Sequence, residues 1–470
     1  MALRFYNTLT QELEEFHPLE DNTVRMYTCG PTVYNFVHIG NFRTFTFQDI
    51  LRRWLRYRGY RLAHVMNVTD VDDKIIINAA KEQKRIEDYT AKYTKAFFED
   101  AATLRLEQPE HVAPATKHID TMVKAVERLA ATGHTYTNDG STYFRISTFP
   151  EYGKLSHNDF SGIRSGARVD VDEYDKADAR DFVLWKGRKN NEPYWKTPFG
   201  DGRPGWHIEC SAMAMSYLGE TLDIHAGGVD LVFPHHENEI AQSESITGKP
   251  FARFWLHSEH LHIESQKMSK SLGNFYTLRD LLEMGYQPEA IRYLLASVPY
   301  RKKLNFTFEG LKAAAKSIER LRDFELRLAS AKLPPGCNEE ISERSKEAIR
   351  QFEQGLDDDL NTAEALAAVF EYVRAMNTAL DEDKFQEENR WEAARVLEIF
   401  DSVFDVLKPT EPGTQSEDEL DDAQVEAYIA ERNQAKKAKN FARADEIRKL
   451  LQEKGIVLED TKDGVRWKRK

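Results

Sequence analysis

Two short stretches of this chain carry residue types that handle phosphate. Lys267-Met268-Ser269-Lys270-Ser271 sets two lysines three positions apart among small hydroxyl residues. Two cations on a flexible loop can reach one polyphosphate, while Ser269 and Ser271 let the backbone approach and can donate hydrogen bonds. Mobile cations suit a transition state that gathers charge on a phosphate. His38-Ile39-Gly40-Asn41 stands where a strand and the Gly30-Pro31 turn give way to a helix. The free amides and positive dipole end of a helix N-terminus attract phosphate. Gly40 lets a flat base or a ribose come close to the backbone, and His38 can donate to phosphate oxygens. A Lys/Ser loop alone is most often a solvated surface, and a lone His-x-Gly a satisfied structural histidine. The two together, at opposite ends of a split sheet domain, point to nucleotide chemistry.

A second constellation could hold a metal. His235 and Glu239 are four apart in Phe233-Pro234-His235-His236-Glu237-Asn238-Glu239-Ile240. An i, i+4 pair shares one helical face, and Pro234 suits a first helical turn. Cys29 follows the first strand, and Cys210 stands near the start of another helix. Two thiols, an imidazole and a carboxylate have the borderline softness that zinc accepts. The dispersed spacing leaves His236, Glu237, His207 and Glu209 as competing ligands. The bland alternative is two buried thiols and an ordinary polar helix.

The elements that must position these residues are legible in outline. Val24 to Tyr27 reads as a strand, Phe45 to Tyr57 as a helix, and Leu62 to Val68 as a buried strand, which together make a βαβ unit and a parallel sheet. The arginines of that helix, Arg52, Arg53, Arg56 and Arg58, read as a solvated face. Ile86 to Leu106 is helical until Pro109 and Pro114. From Tyr136 to Lys196 the pattern changes to short strands and turns, an insertion splitting the sheet domain. Gly205 to Cys210 then opens a helix, Leu222 to His225 is a strand, Gly227-Gly228 a tight turn, and Phe254 to His257 a further strand. Leu311 to Leu407 is helical, interrupted at Pro334-Pro335-Gly336. Pro409 to Asp422 reads as a linker. A long helix and a hairpin over Gly455 to Trp467 close the chain.

Bulk properties narrow the class. A chain of 470 residues needs two to four domains. No apolar run is long enough to cross a bilayer, and Met1 to Tyr6 lacks the apolar core of a signal peptide, so the cytosol is expected. Three cysteines make no disulfide framework; Cys337, in a turn, reads as a free thiol without a role. The net charge of −13 argues against wholesale coating of nucleic acid, yet Glu431 to Lys470 holds 13 Lys/Arg against 7 Asp/Glu, a local net of +6. Trp467 among Lys462, Arg466, Lys468, Arg469 and Lys470 suits stacking on an unpaired base.

His38 to Asn41 and Lys267 to Ser271 resemble the two signature motifs of class I aminoacyl-tRNA synthetases. Asn41 stands where the commonest signature ends in a second histidine; it keeps a hydrogen-bond donor, so a modest change in transition-state contacts is expected. Tyr27-Thr28-Cys29-Gly30-Pro31-Thr32-Val33-Tyr34, Gly205-Trp206-His207-Ile208-Glu209-Cys210-Ser211 and Phe233 to Glu239 are similar to the cysteinyl-tRNA synthetase family. The resemblance runs over essentially the whole chain. It implies ATP-dependent activation of L-cysteine to cysteinyl-adenylate and transfer to tRNA(Cys), by a cytoplasmic monomer that meets no membrane. It implies one Zn²⁺ held by Cys29, Cys210, His235 and Glu239 to select the thiol, and ATP accompanied by Mg²⁺. His38, Asn41, Lys267 and Lys270 are the expected catalytic residues, with Gly40, Ser269, Ser271 and Lys270 around ATP and Lys270 favoured for direct phosphate contact. Thr69, Trp206, His207 and Asp230 are candidates for substrate contact.

The expected fold is α/β: a Rossmann-like parallel-sheet catalytic domain split by an insertion, then an α-helical bundle and a small basic C-terminal α+β unit. The expected bounds are 1–125 and 205–265 for the catalytic halves, 126–204 for the inserted connective domain, and 266–310 for the signature loop and stem-contact region. Residues 311–408 form the anticodon-binding bundle, 409–424 the linker and 425–470 the basic tRNA-binding unit. The rival readings are a tRNA-independent ligase joining cysteine to an amino sugar, a non-catalytic RNA-binding protein on this scaffold, and a zinc hydrolase. The first has little need for residues 311–470, the second for both signatures, and the third for the lysine loop.

Overall fold

Near-continuous apolar runs suit strands covered on both faces, and five of them make the central sheet. Its order is Ala252–Ser258, Leu222–Gly228, Thr23–Thr28, Arg61–Val68, His111–Pro114, and every pairing is parallel. The first strand in sequence lies in the middle, with the next strand on one side and Leu222–Gly228 on the other. Chain order therefore reverses beside Thr23–Thr28, and the carboxyl ends of strands at such a switch point open a crevice for ligand. The computed structural model describes residues 2–158, 181–190, 192–269, 272–409, 422–438, 440–454, 456–461 and 464–469. Lys270, Ser271 and most of the expected linker lie outside the described residues. The chain divides into two compact units, residues 1–409 and 410–470.

Between the two halves of the parallel sheet runs a separate antiparallel sheet. Its strands are Thr135–Asn138, Ser141–Phe144, Phe182–Gly187 and Gly202–Pro204, paired in that order. The glycine pair reads differently from the sequence expectation: Gly227 and Gly228 continue the strand instead of forming a tight turn. Close approach is what they serve. A Cβ on Gly227 would stand 2.8 Å from His236 Cε1, and one on Gly228 2.4 Å from Asp230 Oδ1.

The helices Phe308–Ser330, Glu339–Asp357, Thr362–Asp381 and Glu387–Phe404 form the bundle. Asn338 and Asn361 cap two of them by accepting from Glu340 and Glu364 amides. In the C-terminal unit the expected single long helix is two, Asp422–Lys437 and Phe441–Glu453. Asn440 starts the second by accepting from the Arg443 amide at 3.2 Å. Val425, Ile429, Ile447, Leu451, Ile456 and Leu458 make this unit's core, with Trp467 half-buried against it. The Trp467 indole donates to Glu426 at 2.6 Å, so the ring belongs to the unit's packing more than the sequence suggested. Among the described residues no helix is long and apolar enough to cross a membrane.

The arginine face of the Ile39–Tyr57 helix is corrected in part: Arg56 and Arg58 are exposed as expected, whereas Arg52 and Arg53 are turned inward. Arg52 is 1% exposed and donates to His64 Nδ1 at 2.8 Å and to both Glu110 oxygens. Arg53 binds Asp49 and Asp405, each at 2.9 Å. Helical spacing cannot separate a solvated charge stripe from one turned against acidic loops, because the partners are remote in sequence. Arg292, on the helix Pro288–Ala296, is fully buried. It donates to Asp49, to Phe404 O and, at 3.0 Å, to Leu104 O. Burial would raise the Asp49 carboxyl, but Arg292 and Arg53 outweigh it and hold it below its ordinary value. Removing one member of a buried pair strands the other charge, so Arg292→Ala is expected to cost about 3–5 kcal/mol, read as a lowered denaturant midpoint.

Candidate active site and metal centre

His38 begins the Ile39–Tyr57 helix from an extended backbone, and its Nδ1 accepts from the Asn41 amide at 3.2 Å. With Nδ1 an acceptor, the proton of the neutral ring sits on Nε2, where it can be donated to a ligand. Gly40 makes room for this ring: a Cβ there would lie 3.0 Å from His38 Nδ1 and 2.9 Å from Met268 Cε. The lysine loop thus rests on the helix start, and Met268 covers the face expected to receive a base or ribose. The segment after the loop is tied to the same place. Tyr276 O accepts from the Ile39 amide at 2.9 Å, and Phe275 meets the His38 ring edge-on at 5.2 Å.

A cleft enclosing about 980 Å³, its open mouth included, runs along the carboxyl ends of the strands. Cys29, His38, Asn41, Trp206, Asp230 and Phe275 are among its walls. Lys267 is exposed and Ser269 half-buried. Thr69 is withdrawn from the cleft. It donates to Glu209 at 2.9 Å and accepts from Asn67 at 3.1 Å, while its backbone pairs with Pro31 and Val33. Its role is to hold the Cys29–Tyr34 loop. Gly30 is obligatory in that loop, since a Cβ would fall 1.8 Å from Asn67 O.

Four segments converge where the cleft deepens. Cys29 leaves the central strand, Cys210 projects from the helix Trp206–Leu218, Glu239 stands in the first turn of Glu237–Thr247, and His235 precedes it. Phe233 is extended and kinks the segment Val232–His236; the backbone is helical after it and runs on into Glu237–Thr247, so His235 and Glu239 meet as the i, i+4 spacing predicts. All four side chains are buried, with donor atoms within 4.8 Å of one another. Cys29 and Cys210 sulfurs are 3.9 Å apart, Cys29 Sγ and Glu239 Oε1 3.8 Å, and His235 Nε2 and Glu239 Oε1 3.1 Å. A tetrahedral ion with bonds of about 2.0–2.3 Å sets its ligands roughly 3.3–3.8 Å apart, so spacing and donor chemistry both fit zinc.

Cys29, His225, His236 and Glu239 form an overlapping group. His225 Nε2 is already committed, donating to Glu239 Oε2 at 2.9 Å. That bond aims Oε1 at the two cysteines and His235. His236 turns its Nδ1 to His257 at 2.8 Å. His207 and Trp206 support the first set instead: His207 Nδ1 lies 2.9 Å from His235 Nδ1, and Trp206 stacks on the His235 ring at 4.1 Å. Burial would lower His235, but Glu239 and the Cys210 sulfur overcome it and hold the imidazole up at about 10. Burial would likewise raise Glu239, yet His225 and His235 keep it near about 2. Burial pushes the Cys29 thiol well up. A divalent ion among these donors would compete with the proton on His235.

Sequence reasoning missed His225, His257 and Asn67; the signal for the first two was a histidine late in an apolar strand. Behind Cys29, His64 Nε2–H donates to Thr28 Oγ1 at 2.7 Å because Arg52 occupies Nδ1. Burial and Arg52 hold His64 well below its ordinary value, hence neutral.

Residues 15–316 match the family model of the class I (C) tRNA synthetase catalytic domain, 351–408 the DALR domain, and 419–467 the cysteinyl-tRNA ligase anticodon-binding domain. A cysteine–tRNA ligase of Solibacter usitatus is 65% identical over 470 residues, covering 100% of both chains. One of Koribacter versatilis is 55% identical over 495 residues, again covering 100% of both. A Mycobacterium tuberculosis methionyl-tRNA synthetase structure superposes with a TM-score of 0.60 at 14% identity, covering 82% of this chain and 90% of the other; that likeness concerns the fold. Full-length identity of this order, with the class I catalytic and cysteinyl anticodon-binding matches, places the chain in the cysteine–tRNA ligase family of class I aminoacyl-tRNA synthetases.

Proposed function

We propose that this protein activates L-cysteine with ATP and passes it to tRNA(Cys). The observation that carries the reading is that Cys29, a member of the soft-donor cluster, and His38, at the start of the phosphate-attracting helix, line the same cleft. In the first step the cysteine carboxylate attacks the α-phosphate and pyrophosphate leaves. The developing charge meets the amides that open the Ile39–Tyr57 helix, the His38 Nε2–H donor, and Lys267 and Lys270. Asn41 supplies a further donor from the same wall. Mg²⁺ accompanies ATP. The terminal ribose hydroxyl of the tRNA then attacks the adenylate carbonyl, the acyl–phosphate bond breaks and AMP leaves. Positioning and electrostatics carry both steps, and no general base is assigned.

Selection of the amino acid belongs to the deep end. Zinc held by Cys29, Cys210, His235 and Glu239 would supply a soft Lewis acid that takes a thiolate and leaves serine's alcohol poorly bound. Trp206 walls that end, and His207 orients His235. Asp230, exposed at the end of its strand, is placed to meet the substrate ammonium or the ribose. The anticodon-binding match at 419–467 favours a tRNA acceptor over an amino sugar. The protein works in the cytoplasm as a monomer.

Cysteine is expected to support ATP–pyrophosphate exchange without tRNA, with serine lower by about 10⁴-fold in kcat/KM; no exchange with cysteine would end the assignment. Elemental analysis should find one zinc per chain. That zinc should be lost in His235→Asn and kept in His236→Asn, and the reverse order would move the metal to the overlapping group. Lys270→Ala should lower the exchange kcat by roughly 10²–10³-fold, more than Lys267→Ala does.

A further inference from the structure

The lysine loop leaves a two-residue strand, Gln266–Lys267, paired with His262 and Ile263. Beyond it, one side chain returns to hold the backbone on both sides of Met268. Asn274 Oδ1 accepts from the Ser269 amide at 2.8 Å, and Asn274 Nδ2 donates to Lys267 O at 3.2 Å. These partners determine the orientation of the carboxamide, since an amide N–H can meet only the oxygen and a carbonyl only the NH₂. A carboxylate at this position would accept but not donate, and an aliphatic residue would do neither.

Asn274 stands on a firm footing. Phe275 abuts the His38 ring, and Tyr276 O holds the Ile39 amide. Thr277 and Asp280 close a capping box that starts the helix Leu278–Glu283. The residue that grips Lys267 and Ser269 is thus covalently continuous with the segment that grips His38. Met268, between the gripped residues, is laid on Gly40.

We propose that Asn274 is a positioning residue for adenylate formation, its carboxamide fixing Lys267 and Ser269 relative to His38 so that both phosphate-binding motifs meet one nucleotide. This rests on the ATP reading above. Misplacement of a reacting group by an ångström can cost on the order of 10²-fold in rate. The two bonds act on the loop alone, so their loss should slow activation and spare the transfer step.

The test uses the full-length, zinc-loaded protein. Asn274→Ala is expected to lower kcat for cysteine-dependent ATP–pyrophosphate exchange by roughly 10- to 100-fold, with KM for cysteine unchanged. Single-turnover transfer from adenylate formed beforehand to tRNA should stay within about twofold. Asn274→Gln, which keeps both hydrogen-bonding groups on a longer arm, should recover part of the exchange rate. Asn274→Ser stands in if the alanine variant does not fold. Unchanged exchange overturns the proposal. So does an equal loss in both steps, because a merely structural role slows them together. Absence of exchange in the unmodified protein strikes the ATP reading instead.

Discussion

Cys29, Cys210, His235 and Glu239 reach one point from four segments, and every one of them is buried. Charged and soft donors placed so deep are costly unless each is compensated. The compensation explains much of the surrounding sequence. His225 takes one Glu239 oxygen and leaves the other for the centre. His207 and Trp206 set the plane of His235. Gly30 and Gly227 are glycines because Asn67 O and the His236 ring occupy the space a Cβ would need. The parallel sheet supplies the common origin, since Cys29 leaves its central strand where the strand order reverses.

The second constraint is that a cleft made at strand ends needs its walls held in place. The Ile39–Tyr57 helix is held at its interior by Asp49, which accepts from Arg292, Arg53 and the Glu107 amide. Arg292 joins that helix to the ends of two others through the carbonyls of Leu104 and Phe404. The helical bundle is therefore connected to the helix whose first turn is offered to phosphate. At its other end, Tyr276 and Phe275 fasten the helix start to the segment that follows the lysine loop. Two motifs more than two hundred residues apart in sequence share one mounting.

On the proposed reading, thiol selection and phosphate handling divide the cleft. Its deep end gathers sulfur, imidazole and carboxylate donors suited to a metal that would tell thiol from alcohol. Its mouth has the helix amides and His38, suited to phosphate charge whatever the amino acid. Cys29 and His38 lie nine residues apart, joined by a loop whose backbone Thr69 secures.

The amino-acid sequence by itself determined the chemistry. Residue types in His38–Asn41 and Lys267–Ser271 suit phosphate handling, and two thiols with an imidazole and a carboxylate suit a borderline-soft cation, while the choice among competing ligands came from the family resemblance. Patterning indicated the βαβ unit, an insertion of short strands and the helical bundle, because side-chain periodicity is a local property, while the antiparallel pairing of the insertion came from the structure. The sequence read less well wherever a partner is remote. Arg52 and Arg53 have the spacing of a solvated stripe, and only tertiary packing turns them onto Glu110, Asp405 and His64. Helical spacing paired His235 with Glu239, and they do meet that way, but nothing in the spacing showed the kink at Phe233 just ahead of them. Tertiary structure alone brought His225 to Glu239, laid Met268 on Gly40 and returned Asn274 to Lys267. Those contacts are set by three-dimensional convergence, which no local pattern encodes.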